Sequence, residues 1–121
     1  MRLYALRGAV TVTANDAEAI LDATEELMRE LLGRNELESA GLVSCLFTLT
    51  EDLDAEFPAV AARRIGLAGV PLLCAREIPV PGAMPRVIRV LIHCYLADGS
   101  TPQHVYLRAA VGLRVDLAGA Q

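Results

Sequence analysis

The chain has 121 residues, a formal net charge of −4 and no basic block, which argues against non-specific nucleic-acid binding. That length suits one domain with a modest core, and with 54% hydrophobic but only 4% aromatic residues the core must be aliphatic. Cys45, Cys74 and Cys94 are widely spaced with no C-x-x-C and only His93 and His104 beside them, so a zinc site or disulfide framework is not indicated and reduced thiols in the cytoplasm are expected.

In chain order, Leu3 to Thr13 reads as a strand, β-branched near its end. Arg7 shares a face with Ala5 and Ala9, small neighbours that leave room for a guanidinium. Asn15-Asp16 supplies an N-cap, and Ala17 to Leu32 is predicted as an amphipathic helix whose apolar side holds Ile20, Ala23, Leu27 and Leu31. Glu25–Arg29 and Glu30–Arg34 are i,i+4 pairs on its wet side, and Gly33 and Asn35 end it. Leu42 to Thr50 is a second strand, and Glu51 to Glu56 an acidic loop. Phe57-Pro58-Ala59 opens a short helix, with Pro58 in its first turn, and Gly66 and Gly69 close it.

Val70 to Ile78 and Val87 to Leu96 are two further apolar runs. Pro79 to Pro85 between them is turn chemistry, and folding the runs back about Ala83 as an antiparallel hairpin places Glu77 opposite Arg89. Arg89 interrupts an otherwise buried strand, where a charge is costly without a partner or ligand. An opposed carboxylate and guanidinium in a dry place can stabilise separated charge in a bound molecule, although a structural ion pair is the competing reading. Ala97 to Ser100 is a turn, His104 to Leu107 a short strand, and Arg108 to Arg114 reads equally as strand or helix.

The order β-α-β-α-β-β-β indicates an α/β chain, an α+β mixed sheet of ferredoxin-like outline, in one domain over 1–121 with a frayed tail from about residue 115. Two helices can cover only one face of such a sheet, so the other is expected to meet further copies. Arg89 breaks the longest apolar run, and Arg7 and Gly8 interrupt the first one, so neither a membrane span nor a signal peptide is expected. All 11 basic residues are Arg. Composition alone does not separate codon bias from a use of planar forks for carboxylate ligands.

Arg7-Gly8-Ala9, Phe57-Pro58-Ala59 with Arg63, Val70-Pro71, Cys74, Glu77, Ile88-Arg89-Val90, and His104-Val105-Tyr106-Leu107 with Leu113-Arg114 occur in order. Together they resemble the monofunctional α/β class of chorismate mutase, from the first strand to Leu117. The resemblance implies a homotrimer whose three sheets form a pseudo-α/β barrel, with active sites between subunits. It also implies conversion of chorismate to prephenate on the route to phenylalanine and tyrosine, with no metal or cofactor.

The resemblance further assigns roles. Arg89 donates to the ether oxygen and a carboxylate, and Glu77 accepts from the ring hydroxyl. Arg7 and Tyr106 hold the side-chain carboxylate, and the backbone of Cys74 meets the hydroxyl. Phe57, Ala59 and Leu113 line the substrate, and Arg63 and Arg114 stand at the mouth. Phe57 and Leu72–Leu73 come from the neighbouring subunit. Two positions depart from the family pattern: Val60 stands where a polar residue often follows Phe-Pro-Ala, and Val115 where a proline often follows the arginine. A rearrangement without proton transfer implies a nearly flat rate profile from about pH 5 to 9, since carboxylates and guanidiniums ordinarily titrate outside it. The reading from a different class is a trimeric small-carboxylate-binding or regulatory protein of imine-deaminase (Rid-like) outline. Glu77 discriminates, because a simple anion receptor gains nothing from a carboxylate facing its ligand.

Overall fold

A computed structural model describes residues 1–113. The elements are β1 (Arg2–Thr11), α1 (Ala17–Arg34), β2 (Leu42–Leu49), α2 (Pro58–Arg64), β3 (Leu72–Arg76), β4 (Val87–Leu96) and β5 (Val105–Leu107), with 3-10 turns at Ser39–Gly41 and Arg108–Ala110. They form one five-stranded sheet in the order β3-β2-β4-β1-β5. The sheet is mixed: β4 runs antiparallel to both β1 and β2, whereas β5 is parallel to β1 and β3 to β2.

Local chemistry explains the helix ends. The Asp16 carboxylate accepts from the Ala19 N–H at 2.9 Å, a side-chain N-cap. Helix α1 runs two residues past the expected Leu32, with Gly33 inside it and Asn35 as C-cap. The Asn35 amide donates to the carbonyls of Leu31 (2.8 Å) and Gln103 (2.9 Å), and Glu36, not a glycine, takes the left-handed position at φ 50°. Both expected i,i+4 pairs form, Glu25–Arg29 at 3.1 Å and Glu30–Arg34 at 2.7 Å. Pro58 opens α2 as expected.

The core lies between the two helices and one sheet face. Ile20, Leu27, Met28 and Leu31 of α1 pack on Leu6, Val10, Phe47, Ile88 and Ile92. Gly8 permits this approach, since a Cβ there would stand 2.7 Å from Leu31 Cδ1 and 3.0 Å from Leu27 Cδ1. Cys45 and Cys94 are buried in this core, and all three thiols are free. Burial, helped by the neighbouring Cys94, pushes the Cys45 thiol up to about 11.

The expected hairpin is wrong. Strands β3 and β4 do not pair, because β2 lies between them. After β2, helix α2 returns the chain to lay β3 parallel on the outer side of β2, with Cys45 opposite Leu72 and Leu49 opposite Arg76. The proline-rich stretch from Glu77 to Arg86 therefore passes over the end of β2 to reach β4. It is longer than ordinary hairpin loops of about 2–5 residues. Strand β1 also ends earlier than expected, at Thr11: the Val12 N–H still donates to the carbonyl of Arg86, the next partner in register, at 2.9 Å, but Arg86 takes the left-handed region at φ 51° and the strand goes no further. Arg108–Ala110, open between strand and helix in sequence, is a 3-10 turn.

Candidate active site

The face away from the helices carries one polar row across the whole sheet. Register places Ala75 beside Thr48, Thr48 beside Arg89, Arg89 beside Ala9, and Ala9 beside Tyr106. Period-2 alternation adds Arg7 and Glu77 to the same side, two residues from Ala9 and Ala75. Ala9 supplies the small floor between two large polar groups. Arg7, Ala9, Leu46, Thr48, Arg89 and Tyr106 thus line one cleft of about 280 Å³. That is slightly below the usual range of small-ligand sites, roughly 300–1,000 Å³.

Glu77 and Arg89 form the charged centre. Arg89 Nε donates to both Glu77 carboxylate oxygens, at 3.1 and 3.0 Å, and Thr48 Oγ1 donates to Oε2 at 2.7 Å. The Glu77 side chain is 16% exposed and that of Arg89 is 35% exposed. The pair is therefore partly open to solvent rather than sealed in the core, with Arg89 lining the cleft. Because Glu77 engages only Nε, the two terminal nitrogens of Arg89 have no hydrogen bond among the described residues, and neither does the Arg7 guanidinium. Two planar forks beside one fixed carboxylate suit a ligand that carries carboxylates and also develops positive charge elsewhere.

Two backbone devices hold these groups. The Glu77 N–H donates to the Leu49 carbonyl at 2.9 Å, which continues the β2–β3 ladder one step beyond the strand. The Arg7 N–H donates to His104 Nδ1 at 3.0 Å, just before the β1–β5 ladder begins at Gly8 and Val105. An imidazole replaces a backbone carbonyl there. His93, the other histidine, lies 3.1 Å from Ser44 Oγ.

A family comparison follows the same residues. The model of chorismate mutase type I matches residues 3–117. The chain belongs to the chorismate mutase type I family. This mutase is 54% identical to chorismate mutase AroH of Thermus thermophilus, across 96% of this chain and 97% of that protein. It is 36% identical to chorismate mutase AroH of Bacillus subtilis, across 98% and 94%. Its fold superposes on a chorismate mutase from Clostridium thermocellum with a TM-score of 0.86 and 42% identity, covering 90% of this chain and 98% of that one.

The structure gathers Arg7, Arg89 and Tyr106 in one cleft, with Glu77 held beside it by its bonds to Arg89 and Thr48. Leu113 joins it from the side, in a small apolar cluster with Met84, Tyr106, Ala9, Val87 and Ala110. The remaining expected residues lie elsewhere on the same chain. Phe57 and Cys74 line a separate hollow of about 320 Å³ at β3, an edge strand, together with Leu53 and Arg76. Phe57 is 64% exposed and Leu73 is 59% exposed. Leu72 is partly buried against the core, Ala59 is buried, and Arg63 is exposed in the last turn of α2, next but two to Val60. Arg114 and Val115 lie outside the described residues.

Sequence reasoning missed Thr48, which holds the Glu77 carboxylate, and Leu46, which lines the cleft. The available signal was alternation. In Leu46-Phe47-Thr48 the core takes Phe47, so Leu46 and Thr48 must face the open side. Among the described residues no helix is long and apolar enough to cross a membrane, and no cluster of His, Cys, Asp or Glu could hold a metal.

Proposed function

We propose that this mutase, acting in the cytoplasm, converts chorismate to prephenate in a site shared between subunits of a homotrimer, with Arg89 and Glu77 as its charged poles. In this rearrangement the ether C–O bond breaks while a new C–C bond forms within one molecule. Negative charge grows on the ether oxygen and positive charge on the ring. No proton moves and no covalent intermediate forms, so catalysis rests on conformer restriction and fixed charges.

The observation that carries this reading is the one-point engagement of Arg89. Its Nε is anchored on Glu77 at 3.0 Å, which leaves two N–H-bearing nitrogens to meet the ether oxygen and a carboxylate. Glu77 in turn accepts from the ring hydroxyl and lies against the electron-poor ring. Arg7 and Tyr106 hold the side-chain carboxylate, and Leu113 supplies a wall. The backbone of Cys74 contacts the hydroxyl. Arg63 and Arg114 attract the dianion at the mouth.

The single-chain cleft is small and open, which supports a second wall from another copy. Phe57 and Leu72–Leu73 supply that wall in this reading, while Ala59 is buried in the core of its own chain. The exposed apolar side chains of Phe57 and Leu73, beside an unpaired strand edge, are surface that favours cover.

Purified protein incubated with chorismate alone tests the activity. Chorismate absorbance should fall, and acid should convert the product to phenylpyruvate. Absence of turnover across a range of protein concentrations would leave a carboxylate-binding protein as the better account.

A further inference from the structure

Arg108 occupies the left-handed region at φ 56°, a conformation that side chains with a Cβ rarely adopt. It follows Tyr106 by two residues, at the point where β5 stops. Register would place it beside Thr11, the last residue of β1, but the ladder ends one step earlier at Val10 and Leu107. Side chains complete the connection instead. Arg108 Nη1 donates to the Thr11 carbonyl at 3.1 Å, and the Ala109 N–H donates to Thr11 Oγ1 at 3.1 Å. Arg108 Nε also lies 3.3 Å from Glu26 Oε1 on helix α1.

A strained residue persists only where its surroundings over-determine it, and three contacts do so here. The outcome of the turn is visible immediately downstream. Ala110 is driven to full burial against Ala9 and Val87, while Tyr106 and Leu113 pack around the same cluster on the cleft side. An ion pair as exposed as Arg108–Glu26 contributes little to stability by itself. What it fixes is direction: it ties the end of β5 to the helix layer and aims the following segment across the open face.

We propose that Arg108 is a positioning residue whose guanidinium, held between Thr11 and Glu26, sets the turn that presents Tyr106 and Leu113 to the substrate. The proposal rests on the reading that Tyr106 and Arg7 hold the side-chain carboxylate. Arg108 touches no substrate in it. Its guanidinium is engaged by helix α1 and the end of β1.

The test is steady-state kinetics with chorismate on Arg108→Gly, Glu26→Gln, the double variant and Arg7→Ala, each with its thermal midpoint. Glycine accepts the left-handed backbone, so Arg108→Gly removes the guanidinium without adding strain. Lost positioning of a binding group should raise KM about tenfold and leave kcat within about threefold. Glu26→Gln should also raise KM, although it makes the surface more positive, and the double variant should be no worse than Arg108→Gly. If Arg108 merely attracted a dianion, Glu26→Gln would lower KM, and that result overturns the proposal. Unchanged KM in both single variants, with Arg7→Ala impaired, also overturns it while the site assignment stands. Unchanged kinetics in Arg7→Ala removes the site assignment and the proposal with it.

Discussion

Arg89 on β4 reaches past the intervening β2 to place its Nε 3.0 Å from the carboxylate of Glu77, the residue that follows β3. The two are 12 positions apart in sequence and two strands apart in the sheet. Thr48, on the strand between them, donates to the same carboxylate at 2.7 Å. The polar centre is therefore assembled across three strands.

Replacing Arg89 by its neutral isostere citrulline removes the charge and preserves the shape. Loss of a donor aimed at a developing oxyanion costs about 3–4 kcal/mol of barrier. We expect kcat to fall on the order of 10²–10³-fold with the far-ultraviolet circular dichroism unchanged. A loss below about tenfold would place the ether oxygen elsewhere.

Thr48→Val keeps the shape of the side chain and deletes its donor. The carboxylate then loses a charge-assisted hydrogen bond, worth roughly 1.5–3 kcal/mol. We expect kcat/KM to drop by at least about tenfold, with a smaller effect than Glu77→Gln. Non-additivity in the double variant would confirm that both act through one carboxylate.

A shared site makes a prediction by mixing. In the proposed shared site Arg89→Ala and Phe57→Ala damage opposite walls, so each variant alone should be nearly inactive. Subunits dissociated together and reassembled should regain part of the activity, because some clefts then receive both native walls. Sedimentation of the mixture checks that subunits reassembled, and reassembly without recovered activity would place both residues on one wall.

Gly8→Ala tests the close approach of α1. The added Cβ would stand 2.7 Å from Leu31 Cδ1, so the side chains of Leu31 and Leu27 must shift. Overpacking of this kind costs about 1–3 kcal/mol. The thermal midpoint should fall, and Leu31→Ala in the same chain should recover part of the loss.

Cys45 gives the fold an alkaline weakness. Its folded-state value is raised to about 11 from 9.0, so the unfolded chain ionises first. Stability is complete below about pH 9, falls as pH rises from there, and has lost its full share once the folded thiol also ionises near pH 11. The size is on the order of 2–3 kcal/mol. Denaturant midpoints measured across that window should decline in the native protein and decline less in Cys45→Ala.

The element order was legible because each element carries a local signature: Asp16 before α1, Pro58 at the start of α2, and predominantly apolar runs for the central strands. The pairing of strands was not. Nothing local to Leu72–Arg76 says that it pairs with β2, since that choice is made by the return through α2. The charge pair survived the wrong topology. A carboxylate and a guanidinium among apolar neighbours need each other on either route, and long side chains bridge the width of one strand. Thr48 was invisible because a threonine in a strand is ordinary until register sets it between Arg89 and Ala75. The assignment of Phe57 and Leu72–Leu73 to a second wall came from resemblance alone, and one chain does not bring them to the cleft.

The position of β4 has a further consequence. Arg89 stands on a ten-residue strand flanked on both sides, whereas Tyr106 stands on a three-residue strand at the sheet's margin. Amide protons around Arg89 should exchange only with global unfolding, and those around Tyr106 through cheap local openings. The rim can thus breathe to admit and release a ligand while the charged anvil beneath it stays still.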